Sequence, residues 1–206
     1  LPHWNIVFYC GKHLKKYWEE KLHNVEIREL EVNNLEAYQY NDLFRTKELW
    51  ESLTGEFVLV FQADTWLLSI PPYTIDFYLQ KNYSYIGGGL SSPWVEFVRE
   101  GLSNIKNGCF NGGLSLRKRN DMMKIIEAFP PVTSRYQPNK SIHSDPEDVY
   151  FVLGCLKLGL PLGEDFHFAI HTVFRDKCFG IHNPHYEAAR IAMIYPEILQ
   201  AHINLT

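Results

Sequence analysis

The run Phe57-Val58-Leu59-Val60-Phe61 constrains this chain more than any other feature of it. Five apolar residues, two of them β-branched, fit a strand covered on both faces. What precedes the run gives it context. Asn5–Tyr9 reads as an apolar strand. His13–Leu22 has helical composition, with Leu14, Tyr17, Trp18 and Leu22 on one face. Val25–Val32 alternates as a second strand, and Leu35–Leu53 reads as one longer helix with Leu43, Phe44, Trp50 and Leu53 on its apolar stripe. The order β-α-β-α-β favours a parallel sheet joined by crossover helices.

Beyond the run, Pro71-Pro72 breaks the chain, and Tyr83–Ile86 reads as a strand ending at Gly87-Gly88-Gly89. Leu90–Gly108 is a mixed segment, Gly113–Leu116 a strand, and Asn120–Phe129 a helix capped by Asn120. Pro130–Ser144 is a polar loop. Asp145-Pro146-Glu147-Asp148 opens a helix through Leu156, Phe166–Phe174 reads as a late strand, and Tyr186–Leu199 as a closing helix. No repeat, linker or domain boundary shows. The expectation is one α/β domain over residues 1–206, a Rossmann-type mixed sheet flanked by helices.

Composition narrows the classes. With 206 residues and 21% charged residues, the chain is a folded globule able to bury a full core. A net charge of −4 argues against general nucleic-acid binding, which wants a basic face. The longest apolar runs are far too short to cross a bilayer, and the start, Leu1-Pro2-His3-Trp4, lacks the pattern of a signal peptide. Cys10, Cys109, Cys155 and Cys178 are widely spaced and read as four buried thiols. Sequons stand at Asn82, Asn139 and Asn204, triplets frequent by chance. The compartment stays open, with a soluble, cytoplasmic chain favoured.

Chemistry is expected beyond the carboxyl ends of the strands, where open α/β sheets bind ligands. Gln62-Ala63-Asp64-Thr65 stands there, directly after the apolar strand. A carboxylate at that rim needs a cation, backbone donors or a metal, or else it caps a turn. Asn111-Gly112-Gly113 lets backbone approach a ligand closely, or simply turns the chain, and Asn111 can donate to a sugar hydroxyl or phosphate. Glu147 and Asp148 suit a helix start through its dipole; in a functional reading one of them is a general base. His182 lies in Gly180-Ile181-His182-Asn183-Pro184-His185, as a metal ligand or a surface residue. His167 and His171 have the i, i+4 spacing of a zinc pair, but the segment lacks H-E-x-x-H and reads as a strand.

These features occur in one order: Phe61-Gln62-Ala63-Asp64-Thr65, Phe110-Asn111-Gly112-Gly113-Leu114-Ser115-Leu116-Arg117, Pro146-Glu147-Asp148-Val149-Tyr150-Phe151, then Gly180-Ile181-His182. The order resembles a poorly characterised family of GT-A-type glycosyltransferase-like domains, from about Trp4 to His182. The resemblance implies a GT-A-like fold and transfer of a sugar from a UDP- or GDP-sugar donor to a glycan or other hydroxyl acceptor. It implies a divalent metal, Mn²⁺ or Mg²⁺, held by Asp64 in the place of a D-x-D motif and by His182. Gln62, Asn111, Gly112 and Gly113 match the donor and acceptor lining. Glu147 and Asp148 match the acidic pair at a helix start that carries the catalytic base, with Asp148 deprotonating the acceptor. GT-A folds normally open with a strand that grips the nucleotide; this chain starts at the following element, so that first strand is expected to be lacking. Two other readings compete: a non-catalytic carbohydrate-binding or scaffolding domain using Trp66, Tyr73 or Trp94, and a metal-dependent hydrolase.

Overall fold

The computed structural model describes residues 3–91, 108–131 and 146–203. The expected segment Leu90–Gly108, the loop Pro130–Ser144, and Trp94, Asn139, Asp145 and Asn204 lie wholly or largely outside them. The architecture is mixed α/β, and the contacts divide it into two compact units, Leu1–Thr54 and Gly55–Thr206. Nothing in composition marks this division. Its one local sign is Gly55, whose φ of +92° suits glycine.

The first unit pairs two parallel strands, β1 (Val7–Cys10) and β2 (Glu26–Glu29), across helix α1 (Lys15–Lys21), as the alternation predicts. The single helix expected over Leu35–Leu53 is instead two, α2 (Ala37–Phe44) and α3 (Lys47–Ser52). Thr46 divides them. Its hydroxyl donates to the Leu43 carbonyl at 2.7 Å and accepts from the Leu49 amide, so it ends one helix and caps the next. Trp50, fully buried, donates its indole N–H to the Phe44 carbonyl and fixes the corner.

The second unit opens with β3 (Phe57–Phe61). It pairs antiparallel with β6 (Gly108–Lys118), which pairs antiparallel with β5 (Tyr85–Leu90), so β3 is the end strand of this sheet among the described residues. The expected cover on both faces is not met: only Val60 is buried and Phe61 is 49% exposed. A second sheet has the order β4 (Thr65–Leu67), β8 (Gly180–His182), β7 (Ala169–Ile170), with α4 (Ile75–Lys81) after β4. The late strand shrinks to two residues because Asp165 turns the chain: its carboxylate takes the His167 amide and its carbonyl the Phe168 amide.

Helix α5 (Arg119–Ala128) follows β6 without a turn, so Asn120 lies inside it and is not the N-cap; that place falls to Lys118, whose side chain does not cap the helix. Its first-turn Asp121 is buried and accepts from Ser84 at 2.7 Å and Lys124 at 2.9 Å. Helix α6 (Glu147–Leu158) is buried from Val149 through Cys155, and Gly154 leaves room for Ile125 of α5. The closing helix is three pieces, a 3₁₀ turn Pro184–Glu187, α7 (Ala188–Ile194) and α8 (Pro196–Ile203), because Pro196 interrupts the ladder. Ile191 and Ile198 from α7 and α8 join Ile170, Cys178 and Ile181 in one apolar cluster, with Trp66 packed against it. All four cysteines are free and buried, as expected. Among the described residues no helix is long and apolar enough to cross a membrane.

One irregularity sets up the site. Gly87 pairs with Ser115, yet its neighbour Gly88 pairs with Asn111, so β6 bulges over 112–114. A β-carbon at Gly87 would come within 2.4 Å of the Asn111 carbonyl oxygen. Gly87→Ala is therefore expected to cost about 1–3 kcal/mol, read as a lower denaturant midpoint with unchanged slope; wild-type stability in that variant would contradict the close approach.

Candidate functional site

The bulge leaves the Gly112 amide without a strand partner on β5, and Asp148 takes it. Asp148 Oδ2 accepts from Gly112 N at 3.1 Å, and Oδ1 accepts from Val149 N at 2.8 Å. Burial first, and the neighbouring Glu147 carboxylate second, push the Asp148 pKa up to about 6 against the pull of these two amides and Arg117. A carboxylate with that value is ionised at neutral pH and still basic.

Glu147, the other acidic candidate, is differently placed. Its two oxygens receive Nη1 and Nη2 of Arg117 in a forked pair, with side chains 0% and 4% exposed. The guanidinium lies over the rings of Tyr85 and Phe151, and its Nε donates to Ser115. Glu147, expected as a catalytic candidate, thus has its carboxylate paired with Arg117.

The next residue along β6 serves the other half of the site. A β-carbon on Gly113 would fall 2.1 Å from two ring atoms of His182, so the imidazole lies on this glycine. The Gly113 carbonyl accepts from the Gln62 amide at 2.9 Å and the Thr65 hydroxyl at 3.2 Å, and its amide donates to Asn111 Oδ1. The Asn111 side chain thus holds its own backbone. Pairing of β4 with β8 sets Thr65 opposite His182 and brings the residues before β4 to the imidazole. His182 Nε2 is 3.0 Å from Gln62 Oε1 and 3.4 Å from Asp64 Oδ1, while the buried Nδ1 has no hydrogen-bond partner among the described residues. The Asp64 side chain is 32% exposed and turned to His182.

All eight residues singled out from sequence, Gln62, Asp64, Asn111, Gly112, Gly113, Glu147, Asp148 and His182, therefore meet around two adjacent glycines. The glycines make room for side chains. Gly112 does so for Glu147, whose Oε1 would lie 2.3 Å from a β-carbon there. Sequence reasoning gave no role to Thr65, Ser115 or Arg117, although all three stand inside the motifs. It gave no site role to His171, whose ring stacks on His182 with centroids 5.0 Å apart; burial, then His182 itself, hold its pKa down at about 4. His167 goes elsewhere, stacked on Tyr73 and bonded to Asp165, so the two histidines form no zinc pair. Trp66 packs on the apolar cluster, and Tyr73 is taken by His167. No group of three His, Cys, Asp or Glu side chains that could hold a metal occurs among the described residues. Asp64 and His182 with the Gln62 amide oxygen make a mixed set of donors.

A family model described as "Protein of unknown function (DUF5672)" matches residues 24–183. The chain belongs to this family. The match takes in every motif above and ends one residue past His182. No curated protein and no solved structure matches.

Two outcomes test this geometry. An acid whose pKa is raised on folding holds its proton more tightly in the folded chain, so the stability it adds is full below its ordinary value of 3.8 and is lost as pH rises through about 6. Asp148→Asn should consequently melt higher than the parent at pH 8 and like it near pH 4; a lower melting temperature at pH 8 would contradict the burial. Gly113→Ala should displace the imidazole, visible as shifted His182 ring resonances in a folded protein, and unshifted resonances would refute the contact.

Proposed function

We propose that this chain is a metal-dependent glycosyltransferase on a GT-A-like fold, moving a sugar from a UDP- or GDP-sugar to the hydroxyl of a glycan or other acceptor. The observation that supports it most is the meeting of the Asp64–Gln62–His182 set and Asp148 at the Gly112–Gly113 backbone. The motif order alone required no such meeting.

The donor set fits a divalent cation. Separations of 3.0 and 3.4 Å from His182 Nε2 are those of neighbouring ligands around an octahedral ion with bonds of about 2.1 Å. Oxygen and imidazole donors suit Mn²⁺ or Mg²⁺. When bound, such an ion would neutralise the diphosphate of the leaving nucleotide. Asp148 accepts the proton of the acceptor hydroxyl as its oxygen attacks the anomeric carbon and the bond to the phosphate oxygen breaks. Each Asp148 oxygen keeps a lone pair beyond the amide it accepts. The raised pKa brings the base near the operating pH, where general-base catalysis is most effective. The Gly112 amide fixes the direction from which the base approaches.

Mn²⁺ and UDP or GDP should each raise the melting temperature, by about 2.7 kcal/mol of added stability at a hundred times Kd. Asp64→Ala should remove the Mn²⁺ effect. With Mn²⁺, one member of a panel of UDP- and GDP-sugars should be turned over, and Asp148→Asn should slow it by about 10²–10⁴-fold. No nucleotide effect and no turnover across the panel would end this reading. An Mn²⁺-dependent phosphoester hydrolysis without any nucleotide sugar would replace it with a hydrolase.

A further inference from the structure

We infer that Arg117 and Glu147 are positioning residues: their buried ion pair holds the first turn of α6 against the β6 bulge so that the Asp148 carboxylate stays on the Gly112 amide. This rests on the proposed role of Asp148. The start of α6 is built on a proline. Its N-cap is Pro146, which offers no capping side chain, and Asp148 itself takes the Val149 amide. The pair spans from α6 to the strand that carries Gly112. Besides Glu147, Arg117 reaches Ser115 through Nε, and Nη2 lies 3.4 Å from the Gly112 carbonyl; Ser115 donates to that same carbonyl at 3.1 Å. The carbonyl of Gly112 is thus held by Arg117 and Ser115 and its amide by Asp148. A β-carbon on Gly112 would collide with Glu147 and crowd Arg117 and Asp148 together.

Energetics favour a positional role. An ion pair this buried adds little stability over an apolar pair of the same volume, because desolvation offsets the attraction. What apolar residues cannot supply is the fork, which fixes distance and angle at once. Among the described residues, Glu147 on its own helix and Arg117 on β6 act on the Asp148 charge.

The test uses Glu147→Gln, Arg117→Lys and the joint change Arg117→Met with Glu147→Met in the full chain. The joint variant removes both charges together and is expected to stay folded. Turnover of the nucleotide sugar found for the parent should fall about 100-fold in kcat, with the donor KM within about threefold. Separately, the carboxyl carbon of Asp148, followed by NMR, should titrate near pH 6 in the parent. It should titrate lower in Glu147→Gln, which removes the negative neighbour and keeps the positive one. A folded joint variant with parental kcat would overturn the inference. If it does not fold, parental kcat in Arg117→Lys, which keeps the charge and loses the fork, overturns it equally. Should the parent turn over no nucleotide sugar, the transferase reading falls and the Gly112 amide proton, which Asp148 accepts, decides: a pH titration of that resonance unchanged in Arg117→Lys and in the joint variant rejects the positioning role.

Discussion

Gly112 and Gly113 sit where two side chains from distant parts of the chain need the space of a β-carbon. Glu147 occupies the first of these spaces and the His182 imidazole the second. At the bulge in β6, Gly87 lets β5 come close to the Asn111 backbone. The bulge frees one amide, and that amide meets an acid. From this crowding follow the perturbed Asp148, the forked Arg117–Glu147 pair and the placement of His182 beside Asp64 and Gln62. A substituent at either glycine would act on both halves of the site, since the two residues share one peptide bond.

Most of the eight candidate residues drew notice before the fold through an unusual residue type, an acid after an apolar run, paired glycines, acids at a helix start, a histidine in a Gly/Pro loop, although Asn111, Gly112 and Gly113 lie inside β6. Their division of labour was not legible. Glu147 and Asp148 are adjacent and chemically alike, and only Arg117, thirty positions away, separates a spent carboxylate from an available one. The i, i+4 spacing of His167 and His171 is rightly set aside for a strand; the chain there is a turn and a two-residue strand, which sends the two rings apart.

The fold was read best where local pattern governs it. The β1–α1–β2 unit followed from alternation and composition. Helix length was overread in both halves, since Thr46 and Pro196 act through specific hydrogen bonds and a missing donor, effects that an apolar stripe runs across. The parallel order extrapolated to β3 failed for a different reason. Strand partners are set by tertiary pairing, and β6, eleven residues long, supplies β3 with an antiparallel neighbour. Membership in a family without an assigned activity leaves the chemistry to be argued from the site itself.

The contact on which the rest depends is the bond from the Gly112 amide to Asp148. Its most direct measure is the amide proton shift of Gly112 followed from pH 4 to pH 8. The account predicts a single titration with a midpoint near pH 6, moving downfield as the carboxylate forms, and its loss in Asp148→Asn. A shift that stays flat across that range, or one that turns at the ordinary carboxylate value near 4, would contradict it.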